Sequence, residues 1–265
     1  MKRNEKFVLG DYKNPPVPEG YKHIYGEWYN GFTIEREADG SRFTWVPVDA
    51  LKANGTIDGY SFTEKFGRRR EHHESNLIFS LREAYEETTI LESEDVLYFL
   101  WLIHIEGFSG GLVKAYNSYV KYGGQYVSTY PISMNRNTRK PQSISKKEIC
   151  IREYKAARGI ASALAISDSE ECHLLYGAEF DNVREWINST KAECKVDSSL
   201  GTETKRYVYN NIHFTEYGEW TQEESLDYDG WDRKMISRGR FEKSFIGDRY
   251  EEVKMNAFHA AIYFE

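Results

Sequence analysis

The stretch GFTIEREADGSRFTWVPV, from Gly31 to Val48, predicts a β-hairpin. Phe32 and Ile34 alternate with polar residues ahead of Asp39-Gly40, a pair that is typical of tight turns. The apolar residues Phe43, Trp45 and Val46 follow this turn. We therefore expect two paired antiparallel strands near the start of the domain.

Further strands and helices are predicted on the C-terminal side of the hairpin. GGQYVSTYPIS, at 123–133, predicts a strand that is entered through a glycine pair, and the apolar stretch 256–264 predicts a terminal strand. Helical periodicity covers 80–119, 145–166 and 177–187. The expected class is α+β, with small antiparallel sheets, helices and long loops.

The composition of the chain suggests where the domain begins. Residues 1–20 end in NPPVPEG, so we expect them to form an extended N-terminal arm. Residues 21–265 are interpreted as a single domain with a helical insertion at about 80–119. A chain of 265 residues is long enough for a substantial hydrophobic core.

Charge and hydropathy narrow the range of partners and compartments. The net charge of −7 and the pI of about 5.6 argue against a nucleic-acid backbone as the main partner. The N-terminus lacks the apolar stretch of a secretory signal, and the most apolar segment, 96–105, is too short to span a bilayer. We expect a soluble protein that does not insert into a membrane.

The three cysteines, Cys150, Cys172 and Cys194, do not suggest a disulfide framework or a metal site. No two of them form a CxxC pair, and no nearby histidine supplies a zinc-finger spacing. We expect reduced, structural thiols. No cofactor is expected.

Six segments, taken in order, resemble motifs of the formylglycine-generating-enzyme-like superfamily, also called sulfatase-modifying factors. They are FTWVPV (43–48), GGQYVSTYPIS (123–133), HLLYGAEFDNVREWI (173–187), YGEWTQE (217–223), ISRGRF (236–241) and AFHAAIYFE (257–265). The resemblance implies a loop-rich elaboration of the C-type-lectin fold. The opening VPEGYKHIYGEWYNGFTIEREADGSRFTWVPV resembles a subgroup of this superfamily that is common in phages and prophages of low-GC Gram-positive bacteria.

The resemblance also implies which residues belong to the scaffold. Trp220 in GEWT matches a buried tryptophan of the family, and Arg238-Gly239 matches its R-G motif. Glu179 and Trp186 match the start and the packed face of a helix, and His173 replaces an arginine there. All of these residues are interpreted as structural.

The enzymatic branches of the superfamily need residues that this chain lacks. The copper-dependent oxidation of a sulfatase cysteine needs two reactive cysteines after the R-G motif, and no cysteine follows Cys194. Iron-dependent C–S bond formation needs several histidine ligands, whereas only His72 and His73 are close in sequence, and they are adjacent. No nucleophile elbow, phosphate loop or HExxH pattern is present, so we expect a protein that is not an enzyme.

A third branch uses variable terminal loops to bind ligands, and this chain offers candidates at the matching places. The candidates lie between the GEWT and SRGRF motifs and just after them, where Tyr, Trp and Arg suit recognition. The predicted ligand-binding residues are Tyr228, Asp229, Trp231, Arg233, Arg240, Lys243, Phe245, Arg249 and Tyr250. Asp227, Asp229 and Asp232 do not match a standard calcium loop.

The leading hypothesis is a non-catalytic ligand-binding protein of phage or prophage origin. Its partner would be a protein or carbohydrate on a host cell surface, or another virion protein. Its binding surface would resemble those diversified by retroelements. It would reside in the virion, or in the bacterial cytoplasm before release, and self-association into a homo-oligomer is compatible with the sequence. The alternatives are a structural virion component, such as a decoration, tail or baseplate protein, and an enzyme with an unrecognised site.

Overall fold

The fold is taken from a computed structural model that describes the sheet-forming parts of the chain. The described residues are 7–8, 15–27, 30–47, 56–57, 122, 124–146, 148–151, 154–175, 177–190, 192–200, 206–215, 219–226, 233–238 and 257–264.

Fifteen short strands and two helices make up the described structure. The strands are β1 (Phe7–Val8), β2 (Tyr21–Tyr25), β3 (Thr33–Arg36), β4 (Arg42–Pro47), β5 (Thr56–Ile57), β6 (Gly124–Ser128), β7 (Ser133–Met134), β8 (Pro141–Gln142), β9 (Glu170–Leu174), β10 (Lys195–Asp197), β11 (Arg206–Tyr209), β12 (Ile212–Thr215), β13 (Glu219–Leu226), β14 (Arg233–Arg238) and β15 (Ala260–Phe264). The helices are α1 (Tyr154–Ser162) and α2 (Gly177–Ser189).

The main sheet has six strands in the order β2-β3-β4-β6-β15-β9. Every neighbouring pair in it is antiparallel. A three-stranded sheet, β10-β11-β12, and the two-stranded pairs β1-β5, β7-β8 and β13-β14 complete the strands. The chain is therefore a mixed helix and sheet protein with mostly antiparallel strands, which confirms the predicted class at that level.

The predicted hairpin at 31–48 is confirmed as β3 and β4. Ile34 pairs with Phe43, and Gly40 adopts φ 74° in the turn, a left-handed conformation that glycine tolerates. The simple alternation of buried and exposed residues is not observed, because Thr33 is buried as well as Ile34. The Thr44 hydroxyl lies 3.1 Å from the Thr33 hydroxyl and 2.9 Å from the Thr129 hydroxyl. These buried hydroxyl groups therefore serve as hydrogen-bond partners for one another.

Arg36 fastens this hairpin to the C-terminal half of the sheet. Its side chain is 1% exposed, and it donates to both carboxylate oxygens of Asp39 at 3.0 and 2.8 Å. It also donates to Glu170 Oε2 at 3.0 Å and to the Leu164 carbonyl at 2.9 Å. Tyr21 donates to the other oxygen of Glu170 at 2.8 Å. We name Arg36, Asp39, Glu170 and Tyr21 the arginine clamp.

The predicted strand at 123–133 is confirmed as β6, and its first glycine is required by packing. A Cβ on Gly124 would lie 2.5 Å from the Val46 carbonyl oxygen and 2.7 Å from the Trp45 ring. Trp45 packs edge-on against Tyr126 at 4.9 Å between ring centroids. Only glycine lets β6 approach β4 beside this indole.

The predicted terminal strand is confirmed as β15, and it lies inside the sheet. It pairs with β6 through Ala261 and Val127 and with β9 through Ala260 and Leu174. Four of its five residues are buried. This strand thus joins the hairpin side of the sheet to β9.

The helix predicted at 145–166 is wrong in its first part. The helix α1 begins only at Tyr154, and Ile149 donates its backbone N–H to the Ile132 carbonyl at 2.9 Å. Ile149 and Ile151 are two residues apart, so the same apolar pattern fits an extended segment. Within α1 the buried residues are Ala157 and Ala161, whose small side chains allow close packing on the sheet.

The helix predicted at 177–187 is confirmed as α2, with Phe180, Val183, Trp186 and Ile187 buried. The strand β9 just before it was not predicted. Its residues Glu170 and Glu171 precede a buried Cys172, so the strand lacks a simple apolar alternation. Strands β10 to β14 were also not predicted, because their sequence is rich in charged and polar residues.

Parts of the predicted domain organisation lie outside the described residues. The helical insertion at 80–119 does so entirely. Of the N-terminal arm, 1–20, the structure describes 7–8 and 15–20, and the Tyr126 hydroxyl donates to the Pro16 carbonyl at 2.7 Å. No described helix combines the length and the apolar character that crossing a membrane requires.

Candidate functional site

The hairpin β13-β14 occupies the region in which the sequence predicts ligand binding. Leu226 pairs with Arg233 at one end of the hairpin, and Glu219 pairs with Arg238 at the other. A register shift lies between Trp220 and Glu224, which is the geometry of a β-bulge. The two ends are five residues apart on β14, or about 17 Å at the usual rise of a strand.

The predicted binding residues are therefore anchored at two separate places. Residues 227–232 connect the two strands after Leu226, whereas residues 239–256 begin after Arg238 at the opposite end. Glu219 also forms an isolated parallel bridge with Ala257. The backbone thus leaves at Arg238 and returns at Ala257 on either side of Glu219, which forms the base of the site.

Of the nine predicted binding residues, only Arg233 belongs to the described part of the chain, at the first position of β14. The others lie outside the described residues: Tyr228, Asp229, Trp231, Arg240, Lys243, Phe245, Arg249 and Tyr250. Their assignment as ligand contacts remains a prediction. Tyr228, Asp229 and Trp231 follow the Leu226–Arg233 end of the hairpin, whereas the five residues from Arg240 onwards follow its Arg238 end.

A buried, hydrogen-bonded glutamate–histidine pair occupies the base of the hairpin. His259 Nδ1 lies 2.8 Å from Glu219 Oε2, and the exposed fractions of the two side chains are 0% and 4%. The other carboxylate oxygen of Glu219 and the Nε2 atom of His259 have no hydrogen-bond partner among the described residues. The described residues therefore leave this pair incompletely satisfied. Burying a polar atom without a partner costs about 1–3 kcal/mol.

A second histidine lies close to the first. His213, on β12, packs against Tyr130 with 4.4 Å between ring centroids and the ring planes tilted by 39°. The ring centroids of its neighbour Phe214 and of His259 are 5.2 Å apart. Burial is the largest of the causes that together lower the pKa of His213 to about 4; the nearby charges of Arg206 and His259 act in the same direction, and Asp197 opposes them. His213 is therefore neutral at pH 7.

Asp197, on β10, lies beside His213 without satisfying it. Its Oδ2 atom is 3.1 Å from His213 Nδ1, but that nitrogen lacks a properly directed hydrogen bond. Burial alone would raise the pKa of Asp197, but hydrogen bonds from Ser199 and the charge of Arg206 lower it, as does His213 when it is protonated at low pH. A carboxylate thus stays charged next to a neutral imidazole.

Arg206, on β11, brings a buried charge to the same area. It donates from Nη2 to Glu148 Oε2 at 2.8 Å and to the Lys146 carbonyl, and both side chains of the ion pair are 1% exposed. Its guanidinium lies 5.8 Å from the centre of the Tyr130 ring. Its Nε and Nη1 atoms have no partner within the part of the chain that the structure describes.

A different buried network surrounds the helix α2, and it supports the scaffold role predicted for Glu179, Trp186 and His173. Glu179 is fully buried and lies 3.0 Å from His173 Nε2. It also accepts from the Tyr263 hydroxyl, which lies 2.6 Å from Gln125 Oε1. These contacts tie α2 to β9, β15 and β6.

The described residues give little support to metal or thiol chemistry. No three of their His, Cys, Asp and Glu side chains are grouped so that they could hold a metal ion. No disulfide joins any two of Cys150, Cys172 and Cys194, and burial raises the pKa of Cys172, which keeps its thiol protonated. The described part of the site is a set of buried charges beneath a hairpin.

The sequence analysis missed the histidines and carboxylates at this base. His259 stands inside the apolar run AFHAAIYF, and a titratable residue in a buried strand is an available signal. Glu219 precedes the Trp220 that was interpreted as scaffold, so its role went unnoticed. Among protein-family models, curated proteins and solved structures, none matches this chain.

Proposed function

We propose that the chain is a non-catalytic ligand-binding protein of phage or prophage origin that recognises a protein or carbohydrate on a host cell surface. Residues 227–232 and 239–256 make the contacts, and the formylglycine-enzyme-like elaboration of the C-type-lectin fold holds them. The assignment rests on the ordered motifs and on the absence of the cysteine pair that copper-dependent relatives require.

The observation that carries the proposal is that the hairpin β13-β14 anchors these two segments, one at each of its ends. Both ends of 239–256 flank Glu219, whose side chain is buried against His259. The second segment, 227–232, closes the strands that begin at this base. A fixed frame that carries Tyr, Trp and Arg suits recognition, because little conformational entropy is lost on binding.

The two anchoring points favour a large ligand over a small one. They are about 17 Å apart at the usual rise of a strand, which is wider than a drug-sized pocket. A protein interface of standard size buries about 800 Å² on each partner and spans this distance. We therefore infer that one macromolecular ligand contacts both segments.

The test is the binding of the fluorescently labelled full chain to a panel of intact Gram-positive cells and purified cell walls. Tyr228→Ala/Trp231→Ala and Arg240→Ala/Arg249→Ala should each reduce binding by about tenfold or more, as interface hot spots do. The matched control is Ile166→Ala/Val196→Ala, which removes exposed apolar side chains elsewhere. It should bind as the parent does.

Two results would contradict the proposal. Unchanged binding by both site variants would remove the site assignment, and binding to no member of the panel would argue against a host-surface ligand. Finding the chain in fixed copy number in purified particles would instead favour the structural virion role.

A further inference from the structure

The hairpin β7-β8 presents an exposed basic tip. Met134 pairs with Pro141, and the six residues between them carry Arg136, Arg139 and Lys140. All three side chains belong to exposed residues, and none has an ion pair among the described residues. We name Arg136, Arg139 and Lys140 the basic tip.

The backbone of the basic tip is held in one shape. Asn135 donates its N–H to the Lys140 carbonyl at 2.9 Å and accepts from the Arg139 N–H at 2.8 Å. The side-chain oxygen of Asn135 accepts from the N–H groups of Asn137 and Thr138 at 2.9 and 3.1 Å. Arg139 adopts φ 55°, a left-handed conformation that residues other than glycine rarely adopt.

The root of this hairpin is buried in the fold. Ser133 and Gln142 pair with each other, and the Ser133 hydroxyl donates to the Gln142 carbonyl at 3.2 Å. Ile132 donates to the Phe258 carbonyl at 3.0 Å, and Ser143 donates through its hydroxyl to the Arg42 carbonyl at 2.8 Å. A rooted hairpin with an ordered turn therefore presents three cations in a fixed arrangement.

The charge of this region contrasts with that of the rest of the chain. Residues 107–147 contain no Asp or Glu, whereas the whole chain has a net charge of −7. The described cations of this stretch are Arg136, Arg139, Lys140 and Lys146, and three of these four lie within the turn of β7-β8. A local cluster of one sign in an oppositely charged protein attracts a ligand to one place on the surface.

From these observations we propose that the basic tip binds a linear, base-free phosphodiester polymer of the poly(glycerol phosphate) type. The guanidinium groups of Arg136 and Arg139 offer planar, paired donors that match phosphate oxygens. The three cations are exposed within one turn, so they suit a polymer that contacts several of them at once. The binding is weak for each contact and is reduced by salt.

The composition of the tip disfavours a nucleic acid as the polymer. Residues 135–140 are NRNTRK and contain no aromatic side chain on which a base could stack. Three cations also fall short of the roughly six to ten phosphate contacts that a duplex-binding protein makes. A polymer without bases needs neither feature.

The test compares two variants that change the net charge equally. The tip variant is Arg136→Gln/Arg139→Asn/Lys140→Gln, in which asparagine tolerates the left-handed conformation at 139. The control variant is Lys22→Gln/Lys155→Gln/Lys195→Gln, which removes three exposed cations elsewhere. Binding of each full chain to soluble poly(glycerol phosphate) is measured by titration between about 20 and 200 mM salt, a range in which phosphate contacts are strongly screened, and thermal unfolding verifies that the variants fold.

The tip variant should lose about tenfold in affinity, and the slope of log K against log salt should become shallower by about 2, as expected for three contacts with a single strand. The control variant should behave as the parent does. Equal losses in the two variants, or no loss in the tip variant, would overturn the proposal. Equal affinity for single-stranded DNA of matched charge would overturn the assignment to a base-free polymer.

This inference does not depend on the proposed function. The basic tip shares no residue with 227–232 or 239–256. Tyr228→Ala/Trp231→Ala should retain full affinity for poly(glycerol phosphate), so the failure of one proposal leaves the other standing.

Discussion

The arginine clamp and the Glu219–His259 pair are both buried charge clusters, but they differ in how completely their polar atoms are satisfied. Arg36 uses every side-chain nitrogen, because Asp39, Glu170, Leu164 and Ser41 accept from it. Glu219 and His259 share one hydrogen bond, and each leaves a buried atom without a described partner. The described residues therefore satisfy the polar atoms of the clamp fully, whereas they satisfy those of the Glu219–His259 pair only in part.

The largest effect is expected from breaking the clamp. Arg36→Ala would leave Glu170 and Asp39 without their cation, and breaking a buried pair in this way typically costs about 3–5 kcal/mol. Urea unfolding followed by tryptophan fluorescence measures the loss. Arg42→Ala is the matched control, since its side chain is 35% exposed and pairs with Glu35. It should cost less than about 1 kcal/mol, and a comparable loss in both variants would refute the special role of Arg36.

The next effect is a pH dependence that arises beside the pair. The pKa of His213 is about 4 in the folded chain and 6.5 when the residue is unperturbed, so between these values the unfolded chain binds more protons. Stability should therefore be complete above about pH 6.5 and fall as the pH drops towards 4, by up to roughly 3 kcal/mol. Unfolding free energies measured across this range should flatten in His213→Phe. If the unfolding free energy of His213→Phe fell with pH as steeply as that of the parent, groups other than His213 would be responsible for the pH dependence.

The smallest effect is expected from changing the Glu219–His259 pair. His259→Phe should destabilise the fold by about 2 kcal/mol, because it leaves the Glu219 carboxylate buried and alone. Adding Glu219→Leu should recover most of that loss, since replacing both partners by apolar groups is often neutral. Chemical unfolding of the single and double variants measures the recovery. If the double variant were less stable than the single variant, the Glu219–His259 pair would stabilise the fold as the arginine clamp does.

The sequence predicted the parts of the fold in which local signals and packing agree. The hairpin at 31–48, the strand after Gly123 and the terminal strand all combine apolar runs with glycine or turn residues. The helix predicted at 145–166 was too long, because Ile149 and Ile151 fit a period of two as well as one of 3.6. Strand β9 was missed because tertiary pairing with β15 overrides its weak local preference.

The candidate site was less accessible to sequence reasoning than the fold. The motifs around Trp220 and Arg238 indicated framework on either side of the binding residues but not a hairpin, and β13 and β14 lie there. The Glu219–His259 pair joins residues 40 positions apart, and the contact depends on a parallel bridge that no local pattern announces. Similarly, Arg206 and Glu148 are 58 positions apart.

The interior position of β15 has a consequence for how the protein is made. Ala260 on this strand bonds to Ser128 across 132 positions of sequence, so the ribosome takes about 7–26 s to supply the missing neighbour at ordinary elongation rates. Until then β6 has an unpaired edge, which is a template for association with other chains. We expect nascent chains to depend on a chaperone, or on slow synthesis at low temperature, to reach the native sheet in good yield.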